Sequence, residues 1–286
     1  MINRLVIIGV GLIGSSLALS LKQKKYVKTV IGCGRSEDNL KKGIELGVLD
    51  DYELSISKAI KGADVVVVAV PLGAMDSVFK QMYSALDQAT IITDVGSAKA
   101  TVLRDAQNSL GEHFKQFVPG HPIAGSENSG VEAGFSSLYQ DRKVILTPVK
   151  DTNNEAVSII ENMWKETGAL VELMSVEHHD KVLAATSHLP HMLAFSLVSH
   201  LSKMSDQDEI FNYAAGGFRD FTRIASSDPV MWRDICMANG DALLELISGF
   251  KNELDQIANA IKEQNPQALF ELFRDSKHTR DQLRDL

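Results

Sequence analysis

Two short stretches carry residues spaced for chemistry. Ile7-Ile8-Gly9-Val10-Gly11-Leu12-Ile13-Gly14 matches G-x-G-x-x-G, at the end of an apolar run and the start of a helical one. In that context Gly9 allows a tight turn, Gly11 lets the backbone approach a pyrophosphate, and Gly14 lets helix and strand pack closely. The N–H groups of the helix start, at Leu12 and Ile13, then face phosphate charge. The second stretch is Val118-Pro119-Gly120-His121-Pro122-Ile123-Ala124-Gly125-Ser126, which sets one histidine between prolines and glycines. Each proline fixes its own φ and restricts the residue before it. The segment therefore reads as a stiff loop that aims His121 at a bound molecule.

The surrounding elements must position both stretches. Apolar runs at Leu5–Ile8, Thr29–Gly32, Asp64–Val70, Thr90–Asp94, Phe117–Val118, Lys143–Thr147 and Ala169–Leu173 read as strands. Helical stretches, among them 12–22 and 153–166, lie between them. This alternation implies βαβ units and a doubly wound, Rossmann-type parallel sheet. After residue 175 the apolar residues recur at helical spacing, as in Ala242-Leu243-Leu244-Glu245-Leu246-Ile247. The expected organisation is an α/β dinucleotide-binding domain over 1–175 and an all-helical domain over 176–286. Five or six helices are expected there, the last over 265–286.

The second strand ends Gly32-Cys33-Gly34-Arg35-Ser36, with no carboxylate at its tip. An NAD enzyme usually places Asp or Glu there for the ribose hydroxyls. Gly34, Arg35 and Ser36 instead leave room for a 2′-phosphate, with Arg35 pairing with it or stacking on adenine. NADP is thus favoured over NAD, although Glu37 and Asp38 follow and can still reach a ribose. Ligands of open α/β sheets bind outside the carboxyl ends of the strands. Val70 and Pro71 should line the nicotinamide side, Asp94 should face the cofactor, and Ser97 and His121 should converge there.

Composition narrows the classes. The 286 residues carry a net charge of −8, so nothing draws the whole molecule to nucleic acid. The basic run over 22–28 reads as a solvated helix end. Cys33 and Cys236, without CxxC spacing, give neither a disulfide framework nor a zinc site. Histidines stand at 178, 179, 188, 191 and 200, but no H-E-x-x-H pattern occurs, so no metal is expected. No apolar run looks long enough to span a bilayer, and the chain enters a strand at once without a charged leader. A cytoplasmic protein follows by default.

The chain resembles the prephenate/arogenate dehydrogenase family of tyrosine biosynthesis over nearly its whole length. The matching stretches are Gly9 to Ser16, Asp94-Val95-Gly96-Ser97-Ala98-Lys99, His121-Pro122-Ile123-Ala124-Gly125, Ser187-His188-Leu189-Pro190-His191, and Gly216-Gly217-Phe218-Arg219-Asp220-Phe221-Thr222-Arg223-Ile224-Ala225. The last two are specific; the first is shared with many dehydrogenases. The resemblance implies oxidative decarboxylation of prephenate, with arogenate as the alternative substrate, and a homodimer formed through the helical domain. It places the catalytic histidine at His121 and the serine that orients it at Ser97. It puts Arg223 on the ring carboxylate and His191 near the side-chain carboxylate. Arg219 lies one turn before Arg223 and is a candidate to share its face. Ser126, Glu127 and Ser187 are pocket candidates, and Asp180 is a candidate to orient or gate the site. Gly216 and Trp232 are candidates to reach a neighbouring subunit's pocket. The chain offers no room for a chorismate mutase bundle before its first strand or a βαββαβ regulatory domain after residue 286.

Two rivals remain at this stage. A β-hydroxyacid or imine reductase would share the plan, but the G-x-x-x-K spacing of the hydroxyacid enzymes is absent around Lys181. A non-catalytic NADP-binding sensor would keep the glycine turn but has no need for His121, Ser97 and Arg223 together.

Overall fold

The computed structural model describes residues 1–126 and 128–283. The nucleotide half runs β1 (Ile2–Ile8), α1 (Leu12–Gln23), β2 (Val27–Cys33), α2 (Glu37–Glu45), β3 (Asp51–Glu53), α3 (Ile56–Ala59), β4 (Val65–Val68), α4 (Met75–Met82), β5 (Ile91–Asp94), α5 (Lys99–Ser109) and β6 (Phe117–Val118). These six strands form one parallel sheet in the order β3-β2-β1-β4-β5-β6. All four valines of β4 are buried, because helices cover both faces of the sheet. Chain order reverses between β1 and β4, and a crevice opens there at the carboxyl ends. β3 has no apolar run: Asp51-Tyr52-Glu53 is a polar edge strand, which hid it from hydrophobic patterning.

The remaining strands do not extend this sheet. β7 (Gly120–Pro122), β8 (Lys143–Leu146) and β9 (Leu170–Leu173), with α6 (Asn154–Glu166) before β9, make a second sheet in the order β7-β8-β9. His121 is therefore not in a loop. It pairs antiparallel with Ile145. Pro119 makes the switch, since it has no N–H to continue a ladder beside β5. Its carbonyl accepts the Thr147 N–H at 2.9 Å, and the chain is handed to β8.

Beyond β9 the chain is helical. α7 (Val176–Leu183) and α8 (Leu189–Leu201) flank a π turn at Ala184–His188; α9 (Gln207–Asn212), α10 (Gly216–Thr222), α11 (Pro229–Ala238), α12 (Gly240–Lys262) and α13 (Pro266–Gln282) follow. That is seven α-helices among the described residues, one or two more than expected, because short α9 and α10 are too brief to show a period. Local chemistry sets their starts. Ser175 Oγ accepts the His178 N–H, Asp228 Oδ1 the Met231 N–H and Asn265 Oδ1 the Ala268 N–H. Pro229 and Pro266 sit where a missing N–H costs nothing. Pro190 cannot donate to the turn before it, and the widened turn just ahead sends the Leu189 N–H five residues back, to Ala184 O.

The run Val176–Leu201 is one continuous helix, long and apolar enough to cross a membrane by length and composition. This corrects the expectation that no such run exists. Its buried polar residues, His179, Asp180 and His188, are engaged within the protein instead. The chain packs as two compact units, Met1–Gly240 and Asp241–Leu286. The second comprises most of α12 and α13 and exposes Leu244, Leu254, Ile261, Phe270 and Phe273.

Candidate active site

The glycine turn is shaped by what surrounds it. Gly9 has φ +96°, and a Cβ there would lie 2.4 Å from the Ala69 carbonyl oxygen. A Cβ on Gly14 would lie 2.7 Å from the Gly9 oxygen, whereas one on Gly11 would meet nothing within 4 Å. Among the described residues no side chain caps the first turn of α1, so its N–H groups are available to an anion. The residues thus fit a dinucleotide: open space over Gly11, and a helix start aimed into it.

At the tip of β2, Arg35 is exposed and Ser36 caps α2, its Oγ accepting the Asn39 N–H at 3.3 Å. Glu37 is occupied: its carboxylate accepts the Tyr52 hydroxyl at 2.9 Å and pairs with Lys41 at 3.1 Å. Cys33 is buried, and burial followed by the Glu53 charge pushes its thiol up to about 11. Val70 and Pro71 follow β4 at the crevice, half-buried and exposed respectively.

His121 lies buried beyond the carboxyl edge of the sheet. Its Nδ1 stands 2.8 Å from His179 Nε2, and His179 Nδ1 stands 2.8 Å from Asp180 Oδ1. Asp180 in turn accepts the Lys99 N–H at 2.7 Å on Oδ1 and the Ala100 N–H at 2.8 Å on Oδ2. A carboxylate is therefore seated on the positive end of α5. Burial pushes Asp180 up, but the His179 bond and the two N–H donors outweigh it and hold the carboxyl below its usual range. Burial drives His121 well below the ordinary imidazole value, and His179, Lys99 and His188 add to the effect. His121 is neutral near pH 7.

A second buried pair fixes the backbone beneath His121. Lys99 is fully buried and reaches Asp94 Oδ2 at 2.5 Å and the Gly120 carbonyl at 2.6 Å. Asp94 accepts the Gly96 N–H at 2.7 Å and the Gly120 N–H at 3.2 Å. The residue just before His121 is thus held through both its N–H and its C=O. Asp94, expected to face the cofactor, is wholly buried with both oxygens engaged. It anchors the site from behind, because a carboxyl group at zero exposure needs its partners.

His188, His191 and Trp232 form the next wall. His188 Nδ1 lies 3.2 Å from Asn239 Nδ2, which also donates to Asp180 O at 2.8 Å. Burial lowers His188 to about 4. Its Nε2 and the Trp232 Nε1 lack hydrogen-bond partners among the described residues, although the Ser97 backbone lies beside His188. His191 Nδ1 donates to the Ser187 carbonyl at 2.9 Å, and its ring stacks on Trp232 at 3.7 Å and 20°. Burial lowers His191, and the nearby Arg223 charge lowers it further. Trp232, a candidate to reach a neighbouring subunit's pocket, stacks on His191 of its own chain.

The structure therefore brings His121, Ser97, Ser187, His188 and His191 to the region outside the sheet's carboxyl edge. Ser97 is half-buried, and its hydroxyl has no hydrogen bond among the described residues; the ring of His121 is bonded to His179 instead. Asp180, a candidate to orient or gate the site, is buried next to His179, the partner of His121. Ser126 is exposed, its Oγ accepting the Asn128 N–H at 3.3 Å. Glu127 lies outside the described residues. Arg223 and Arg219 are exposed, one turn apart, at the end of α10, and Gly216 opens that helix. Sequence reasoning missed His179, Lys99 and Asn239. Lys99 stood inside a quoted motif and His179 among the histidines weighed for a metal, but nothing local marks either as buried.

A parallel sheet with this strand order, a glycine turn at its switch point and a buried neutral histidine at its carboxyl edge define a nucleotide-dependent dehydrogenase. Residues 17–173 match the family model for the prephenate dehydrogenase nucleotide-binding domain, and residues 175–275 that for the prephenate dehydrogenase dimerization domain. The chain belongs to the prephenate dehydrogenase family, whose members are NAD-dependent oxidoreductases. It is 41% identical to a cyclohexadienyl dehydrogenase of Zymomonas mobilis, over 97% of this chain and 95% of that one. It is 38% identical to a prephenate dehydrogenase of Bacillus subtilis, over 98% of this chain and 76% of that one. A crystal structure of prephenate dehydrogenase from Aquifex aeolicus, in complex with hydroxyphenyl propionate and NAD+, superposes with a TM-score of 0.92. It is 36% identical and covers 99% of each chain.

Proposed function

We propose that this chain oxidises and decarboxylates prephenate to 4-hydroxyphenylpyruvate, a step of tyrosine biosynthesis, with His121 as the base. The observation that carries the reading is His121 itself: buried, neutral, and held through its ring and through the anchored Gly120 before it at the sheet's carboxyl edge. A base that must take a proton from a ring hydroxyl near pH 7 needs an unprotonated nitrogen, and burial guarantees one.

The first turn of α1 and Gly11 hold the pyrophosphate, and Val70 and Pro71 line the nicotinamide side. When bound, the dinucleotide supplies the hydride acceptor. His121 takes the hydroxyl proton on its free ring nitrogen as the ring loses CO2 and becomes aromatic. Ser97 completes the polar edge around that hydroxyl. Arg223 pairs with the ring carboxylate, and Ser126, Ser187 and His191 surround the side chain. Alignment does most of the remaining work, since aromatisation drives the step.

NADP is the proposed cofactor. No carboxylate stands at the β2 tip, Arg35 is exposed there, and Glu37 is tied to Tyr52 and Lys41 rather than free for a ribose. The exposed apolar residues of α12 and α13 support a homodimer, in keeping with the matched dimerization domain. Its place is the cytoplasm, consistent with two free cysteines.

One observation favours arogenate as a second substrate. His191 donates from Nδ1 to Ser187 O, and burial keeps it neutral, so Nε2 remains an acceptor. An acceptor suits the ammonium of arogenate. The test is side-by-side kinetics with both substrates and both cofactors, on the wild type and on Arg223→Ala. The variant should raise KM for prephenate tens-fold, as expected when the substrate carboxylate loses a charge-assisted bond worth about 1.5–3 kcal/mol, with KM for NADP and Tm nearly unchanged. Tight NADP binding with no turnover of either substrate would refute the proposal.

A further inference from the structure

We infer that His179 and Asp180 are positioning residues that set the tautomer of His121, so that the nitrogen offered to substrate is always Nε2. The inference rests on His121 being the base, and it concerns residues that never touch substrate.

One assignment fits the geometry when each ring carries a single proton. Asp180 is ionised and can only accept, and its oxygens already take two N–H groups from the start of α5. His179 Nδ1, 2.8 Å from Oδ1, must therefore carry the proton. With that proton as its only one, the His179 ring presents a bare Nε2, which accepts. His121 Nδ1, 2.8 Å away, must donate to it. That leaves His121 Nε2 without a proton and free to act as base. Each link dictates the next, and the chain starts from a helix terminus that cannot reverse its polarity.

The arrangement also answers a question of charge. Once His121 holds the substrate's proton it is an imidazolium in a buried place. Its Nδ1–H then points at the lone pair of His179, whose other nitrogen rests on a carboxylate. The positive charge is stabilised from the side of His179 and Asp180. His179 is fully buried and Asp180 nearly so, which keeps water from competing for these bonds. The rings of His121 and His179 cross at 63° with centroids 5.1 Å apart, edge to face. The contact is a directed hydrogen bond, not a stack.

Two measurements test this together. The first uses the wild type labelled with 15N in its histidines, without substrate. His121 should show Nδ1 protonated and Nε2 bare, and His179→Leu should shift that ring toward the other tautomer. A wild-type His121 with Nε2 protonated would overturn the inference, whatever reaction the chain performs. The second is a double-mutant cycle on turnover. His179→Leu should lower kcat by roughly 10–100-fold, the usual cost of removing an orienting partner, with KM for prephenate changed less than threefold. His179→Gln, which keeps an acceptor, should recover part of the loss and serves where the leucine variant folds poorly. In the His121→Asn background the same His179 change should have no further effect. An equal loss in both backgrounds, or a folded His179→Leu with wild-type kcat, would show a merely structural role. Failure of the chain to turn over either substrate would sink the functional reading and leave the tautomer result standing.

Discussion

Lys99→Met removes the ammonium shared by Asp94 and the Gly120 carbonyl. Methionine matches the stem in length, so the perturbation is the lost charge. It strands a fully buried carboxylate, and breaking one side of a buried pair costs ~3–5 kcal/mol. For a chain of this size each kcal/mol moves Tm by ~2–4 °C, which gives a drop of ~6–20 °C. Asp94→Asn in the same chain removes the stranded charge and keeps acceptor and donor groups near Gly96 and Gly120. The double variant should therefore be more stable than Lys99→Met alone. Gly120 still loses its carbonyl partner, so the strand under His121 loosens. At 20 °C, with both variants folded, kcat should fall at least tenfold while nucleotide binding persists, a drop of the order reported for lost positioning. Thermal unfolding followed by circular dichroism, with kcat at saturating substrate, measures both effects. A Lys99→Met protein melting within ~2 °C of wild type, or a double variant as unstable as the two single losses combined, would refute the claim that this pair is a buried anchor.

Stability should also depend on pH in a stated direction. His121 and His188 have folded-state values below the ordinary 6.5, through burial. Their contribution is complete above pH 6.5 and is lost as pH falls, because the unfolded chain then takes up protons the native state refuses. For His188 the window runs from 6.5 down to about 4, and its loss is on the order of 3 kcal/mol; urea midpoints at pH 7.5 and pH 5 that coincide would contradict this. For the cofactor, Arg35→Ala should weaken NADP by about 1.5–3 kcal/mol and leave NAD little changed, the worth of a charge-assisted bond. Equal losses for both dinucleotides, by titration calorimetry, would mean that Arg35 only stacks on adenine.

What was legible in the sequence was local. The glycine turn, the four-valine strand and the helical spacing after residue 175 each declare themselves within a few residues. His121 was legible as chemistry but not as structure: its strand partner, Ile145, lies in another part of the chain, and only Pro119's missing N–H hints at a change of sheet. His179 sat in plain view beside Asp180, yet its bond to His121 spans 58 residues. Lys99 looked like an ordinary helix-start lysine two residues after Ser97. Its complete burial follows from Asp94 and Gly120 closing over it, which no local pattern encodes. Asp94 was misassigned for the same reason. A carboxylate at a strand's end has the same sequence whether it faces a cofactor or a buried lysine.

The central claim is that His121 performs the proton transfer while other residues hold substrate and nucleotide. Single-turnover and steady-state kinetics of His121→Asn, with nucleotide affinity measured in parallel, test it most directly. The account predicts kcat lowered by about 10²–10⁴, the contribution of a positioned base, with NADP affinity and Tm close to wild type. A folded His121→Asn enzyme that keeps kcat within a factor of a few of wild type would contradict it.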